Sequence, residues 1–139
     1  MIIDANNIIL GRLGTHAAKK ALLGEKIDIV NCENSIISGD KKTILDDYKA
    51  KFKRGIPSKG PFFYKLPDMF VKRSIRGMLP YKKERGKTAL KNIKCHIGVP
   101  ESLRDKKPDT LSNANISKLP NSKYMKVKDL CNHLGANLK

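Results

Sequence analysis

The sequence predicts an α/β fold, a small parallel or mixed sheet with helices packed on both faces, plus a basic loop and a C-terminal extension. Three observations predict it. A strand, a helix and a second strand follow one another at the start of the chain, the order that sets parallel strands side by side. Forty per cent of the residues are hydrophobic and none is Trp, so the chain can bury a real core and that core is aliphatic. The length of 139 residues is one domain's worth, against roughly 100–200 residues for a typical domain.

Met1 to Ala5 reads as a buried strand, and Asn6-Asn7 as a turn. Between Ile9 and Leu23, Leu10, Leu13, Ala17, Ala18, Ala21 and Leu22 recur at helical spacing, with Gly24 as a stop. Ile27 to Cys32 is a second strand and Ser35 to Ser38 a very short third. A second helix starts after Gly39, with Asp40 as N-cap and Ile44, Leu45, Tyr48 and Phe52 on one stripe. Arg54 to Asp68 (RGIPSKGPFFYKLPD) then breaks the pattern and is too long for a tidy connection. Its Phe62, Phe63 and Tyr64 either stack on bases or tuck back as a hydrophobic foot.

Val71 to Leu90 (VKRSIRGMLPYKKERGKTAL) is the stretch around which the chain is organised. Val71, Ile75 and Met78 or Leu79 share one helical face, which leaves Lys72, Arg73 and Arg76 on the other. Pro80 ends the helix and pushes Leu79 out of helical geometry, and Gly86 is a second soft point. Two short basic pieces joined by a bend are expected. Ile93 to Gly98 reads as the last strand, residues 101–123 as an extension lying on a surface, and Val127 to Leu134 as a short helix stopped by Gly135. The whole, 1–139, is expected to be one domain: an α/β core over 1–98 with a basic insertion at 53–68, and an extension over 99–139.

The net charge is +16 and it is uneven. Residues 1–40 carry four basic and five acidic groups, residues 41–94 seventeen and four, and residues 95–139 eight and four. Such an excess repels itself unless a polyanion neutralises it, so the middle third is the expected polyanion-binding surface. A membrane is excluded as partner on two grounds. No run approaches the about 18 apolar residues of a span, and no long apolar helix face carries the Trp or Phe of a surface anchor. The start lacks the basic and apolar regions of a signal peptide. Cys32, Cys95 and Cys131 form no CxxC pair and no disulfide framework, which points to a reducing, intracellular setting.

Catalytic chemistry finds little support. Gly11-Arg12-Leu13-Gly14 has two glycines where a dinucleotide fingerprint needs three, and close helix–sheet packing explains both. Gly55 to Gly60 has half the spacing of a phosphate loop, with Pro61 where Lys is required. His16, His96 and His133 are dispersed and lack ligand partners, so no metal or other cofactor is expected. Cys95 and His96 are neighbours in a strand and point to opposite faces.

DANNIILGRLGTHAAKKALLG, VNCENSIISGDK and SKGPFFYKLPDMFVKRSIRGMLPYKK, in that order, resemble the family of the thirteenth protein of the large ribosomal subunit. The likeness covers about residues 2–135. Ile75 to Pro80, followed by Gly86-Lys87, Ile93 and Gly98, resembles the family's signature. Cys95 and His96 depart from its usual apolar residues, which affects packing of that strand. The SKGP and KLPD loop resembles the archaeal and eukaryotic branch, and the short tail the archaeal one. The resemblance implies a non-enzymatic constituent of the cytoplasmic ribosome that binds large-subunit ribosomal RNA early in assembly, beside neighbouring ribosomal proteins and with no small-molecule substrate.

The residues themselves suggest binding through phosphates. Lys72, Arg73 and Arg76 form one cluster and Lys82, Lys83, Arg85 and Lys87 the next. Lys53, Arg54, Lys59 and Lys65 extend it along the loop. Arginines grip a phosphate with two parallel bonds and rank above the lysines. Gly77 offers either close backbone approach or simple packing, and Arg12 is a weaker candidate. The same surface would serve a free regulatory module acting on messenger RNA. A DNA-compacting protein rarely needs this much α/β core, and a small nucleotide-dependent enzyme would need the phosphate loop that is missing.

Overall fold

The computed structural model describes residues 1–138; Lys139, the end of the expected extension, lies outside the described residues. The order is β1 (Ile2–Asp4), α1 (Leu10–Leu22), β2 (Ile27–Val30), β3 (Ile36–Ser38), α2 (Lys41–Lys53), α3 (Pro67–Met78), α4 (Glu84–Lys91), β4 (Ile93–Cys95), β5 (Tyr124–Lys126) and α5 (Val127–His133). The α/β class is as expected. Strands β1, β2 and β4 form a parallel sheet in the order β1-β2-β4, with Ile3 beside Ile29 and Ile29 beside Cys95. No helix among the described residues is long and apolar enough to cross a membrane.

Alternation gives the sheet two unlike faces. Ile3, Ile27, Ile29 and Ile93 are fully buried, in one cluster with Leu13, Ala17, Val71 and Ile75 of α1 and α3. Opposite them lie half-buried polar groups. Asp28 pairs with His96 (Nε2 to Oδ1, 3.1 Å), and Asn31 Nδ2 donates to Asp4 Oδ1 at 2.9 Å. Helix α1 packs most extensively on α3, and the glycines expected to meet the sheet divide differently. A Cβ on Gly14 would come within 2.8 Å of Met78 Sδ, so this glycine fits α1 to α3; Gly11 faces open space. Gly24 and Gly135 sit at φ +95° and +89°, the left-handed conformation that ends a helix. Asp40 occupies the N-cap of α2, yet its side chain makes no capping bond there.

The C-terminal part departs most from the sequence reading. Strand β4 is not the last: β5 pairs antiparallel with β3, Ile37 opposite Met125. Helix α5 buries Val127, Leu130 and Cys131 completely in the main core. The segment between β4 and β5 is stitched to the start of the chain. Asp4 N donates to Asp109 O (3.1 Å), Asp109 N to Ile2 O (2.8 Å) and Ile116 N to Asn7 O (3.0 Å).

Candidate nucleic-acid interface

Helix α3 begins four residues before the basic stretch. Pro67 occupies the first turn, where its missing N–H costs nothing, and Asp68 beside it favours the positive helix end. Val71 and Ile75 are fully buried, which fixes the helix rotation and turns Lys72, Arg73, Arg76 and Gly77 outward. Leu79, not Met78, completes the buried face: it is 4% exposed against 43%. Leu79 has left the helix, at φ −105° and ψ 150°, as the residue before a proline must. The bend is therefore pinned by a buried leucine.

Gly86 is the opposite of a soft point. It is buried in α4, and a Cβ there would lie 2.1 Å from Pro80 O, so α4 can fold back on the bend only without a side chain at this position. Gly77 is exposed, and its Cβ would meet nothing within 4 Å. Of the two roles considered for it, packing inside the chain fails.

Lys53, Arg54, Lys59, Lys65, Arg76, Lys82, Lys83, Arg85 and Lys87 are exposed, and Lys72 and Arg73 are half-buried. Among the described residues Lys87 alone of these eleven cations meets an acid, Glu84 at 3.6 Å, both in solvent. Such a pair contributes little. Two arginines are nonetheless engaged. Arg73 Nη1 donates to Phe62 O at 2.5 Å, and its guanidinium lies 4.1 Å from the Phe63 ring centroid. Arg76 lies 4.9 Å from the Tyr81 ring, across the bend. The expectation that Arg73 points freely outward is corrected: it clamps the loop to α3.

The aromatic triplet divides. Phe63 turns inward against Phe52, with centroids 5.3 Å apart, and is the hydrophobic foot. Phe62 and Tyr64 remain 66% and 53% exposed. Between α2, the loop and α3 lies a cleft of about 390 Å3 whose walls include Lys51, Phe52, Arg54, Phe63, Tyr64 and Arg73. Flat rings beside cations suit a base with its phosphate. Lys51, over the Tyr48 ring at 4.6 Å, belongs to this cleft and was missed, although its place one turn after Tyr48 could have found it. Lys72, Arg73 and Arg76 line a shallower depression with Tyr64. The lysines at 53, 59, 82, 83 and 87, with Arg85, line neither hollow and stand on its surroundings. The Lys65 ammonium lies beside Gly135, past the end of α5.

Elsewhere the fold joins what the sequence separates. Cys32 Sγ donates to Ile29 O at 3.6 Å, and the neighbouring Cys95 thiol, with burial, pushes the Cys32 thiol far above its ordinary range. Burial pushes the Cys131 thiol up to about 12, with Asp68 adding to it. No group of three His, Cys, Asp or Glu placed to hold a metal occurs among the described residues.

The model of a family described as ribosomal protein L13 matches residues 1–102. The chain is 43% identical over 136 residues to a large ribosomal subunit protein uL13 of Methanosarcina barkeri, covering 97% of each chain. It is 41% identical over 141 residues to that of Methanococcus maripaludis, covering 98% of each. The uL13 protein of Methanopyrus kandleri is 40% identical over 136 residues, covering 96% of this chain and 86% of that one.

Proposed function

The chain belongs to the ribosomal protein L13 family, in its archaeal form, and is a structural constituent of the large subunit of the cytoplasmic ribosome rather than an enzyme; on that premise we propose that it binds large-subunit ribosomal RNA early in assembly and stabilises the RNA fold. One observation carries this reading. Ten of the eleven candidate cations have no acidic partner among the described residues, on a surface whose backbone is held rigid by Val71, Ile75, Leu79 and Gly86. A folded chain that neutralises so little of this charge with its own acids is built to meet a polyanion.

Lys72, Arg76, Lys82, Lys83, Arg85 and Lys87 take phosphates along α3, the bend and α4. Arg54 and Arg73 serve the aromatic cleft, and Lys53, Lys59 and Lys65 extend the field around the loop. Gly77 lets the RNA backbone come close to α3. Recognition rests on RNA shape rather than base edges, and neighbouring large-subunit proteins complete the surroundings. The chain acts as one unit, because its extension supplies part of the core that holds α3 in place.

Sedimentation of a native extract, with fractions probed for this chain before and after a high-salt wash, tests the reading. The chain is expected to stay with the large subunit through the wash. Release at modest salt, or migration at the top of the gradient, would overturn it.

A further inference from the structure

A broad hollow lies outside the cationic middle. It is a groove of about 660 Å3 between the outer face of α1 and residues 110–114. Arg12, Thr15, His16 and Lys19 recur along its helical wall at the spacing of one face. The facing segment is held there by Ile9 N donating to Ala114 O at 2.8 Å and by Arg12 Nη1 donating to Asn113 O at 2.8 Å. Gly11 keeps the helix low at this point, since a Cβ there would meet nothing within 4 Å. Leu111 and Ala114 give the opposite wall an apolar surface, and no acidic residue lines the groove.

The near-neutral balance of residues 1–40 conceals this positive groove. Four of the five acids of that segment are occupied elsewhere, and the fifth, Asp40, stands at the start of α2. Asp4 accepts from Asn31 and Asp28 pairs with His96 on the polar sheet face; Glu25 pairs with Lys20, and Glu33 accepts from Gly98 N. Lys19 makes no ion pair among the described residues. Arg12 spends one donor on Asn113 and is thereby positioned, with further N–H groups left to offer. His16 Nδ1 is buried without a hydrogen-bond partner among the described residues.

Resting on the RNA-binding reading above, we propose that this groove receives one unpaired nucleotide of the bound RNA, its base between Gly11 and Leu111 and its phosphate at Arg12 and Lys19. A hollow of this size, with apolar walls and few polar groups, suits a small flat ligand, and the cationic rim without acids selects an anionic one. The surface also runs on into the proposed interface: Thr15 Oγ1 lies 3.9 Å from Met78 Sδ, next to Gly77.

The test is chemical footprinting on in-vitro transcribed large-subunit RNA, with base-methylating and 2′-hydroxyl-acylating reagents, using the full chain and its Gly11→Leu and Lys19→Ala variants. Leucine at position 11 fills the groove while improving helix propensity, so folding is retained; equal or higher melting temperature checks this. The expected result is a nucleotide protected by the parent chain and reopened by both variants, with the other protections kept. Gly11→Leu should weaken binding about tenfold, the scale of one lost base stack. Lys19→Ala should lower the salt slope by about 1. A footprint that neither variant alters overturns the groove and leaves the parent reading standing. A parent chain with no footprint overturns both. A photocrosslinker at position 15 that reaches a neighbouring protein in assembled subunits, and not RNA, also overturns the proposal.

Discussion

A guanidinium committed to a ring and a carbonyl has less to give a phosphate than one standing in water. Arg73 is of the first kind, Arg85 of the second. Arg73→Ala should lower stability by about 1–2 kcal/mol, from the lost charged hydrogen bond and ring contact, and should loosen residues 54–66 as well as weaken RNA binding. Arg85→Ala should leave the melting temperature unchanged and flatten the salt dependence of binding by about one phosphate. Equal melting temperatures for both variants would show that the Arg73 clamp does no structural work. Nothing in the sequence separates the two arginines, because stacking on Phe63 depends on where the loop returns.

The thiols give a second prediction at this scale. Cys131 is raised from 9.0 to about 12 in the folded chain, and Cys32 is raised as well. A folded acid with a raised pKa keeps its proton where the unfolded chain has lost it. The contribution of Cys131 is therefore full below about pH 9 and declines as pH rises from about 9 towards 12. Denaturant unfolding at pH 8 and pH 10.5 should show lower stability at the higher pH, and Cys131→Ala should reduce that difference. An unchanged difference would place the alkaline sensitivity elsewhere.

Among the elements, the α3–bend–α4 unit is best legible in the sequence and most instructive where it is not. Charge pattern and Pro80 give the helix, its outward face and the break. They cannot say which apolar residue closes the inner face, because Leu79 turns inward only after the chain leaves helical geometry. Nor do they distinguish two glycines nine residues apart. Gly86→Ala should cost about 1–3 kcal/mol, since the backbone it would strike has nowhere to move. Gly77→Ala should raise stability by up to about 1 kcal/mol through helix propensity and yet weaken RNA binding. Thermal melts beside RNA titrations read both; tight binding by Gly77→Ala would remove close approach as its role. Strand β5 escaped notice for a simpler reason. Three residues, Tyr124–Lys126, carry no period, and the partner β3 lies far back in the chain.

For the molecule as a whole, two effects of salt oppose one another. The free chain carries +16 and repels itself, while its complex with RNA is held by charge. Raising NaCl from about 50 to about 500 mM, across which the screening length shortens severalfold, should raise the melting temperature of the free chain and lower its RNA affinity. A melting temperature indifferent to salt would mean that the charges are too dispersed to strain the fold. The α/β class and the cationic middle are legible because they depend on local spacing and composition. The Cys32–Cys95 contact, the α1 groove and the anchoring of residues 109–116 are not, because each joins parts distant in sequence.

That anchoring carries a consequence for the moment of synthesis. Ile2, Asp4, Asn7 and Ile36 to Ser38 emerge first, but their hydrogen-bonding partners lie at 109–116 and 124–126. At about 5–20 residues per second, the nascent β3 waits roughly 4–18 s for its partner. Until then the sheet edge is bare and α5 is missing from the core. Ribosome-bound chains arrested before residue 124 has left the exit tunnel should be readily proteolysed, and fully extruded ones resistant. Early resistance would show that the N-terminal half closes without its tail.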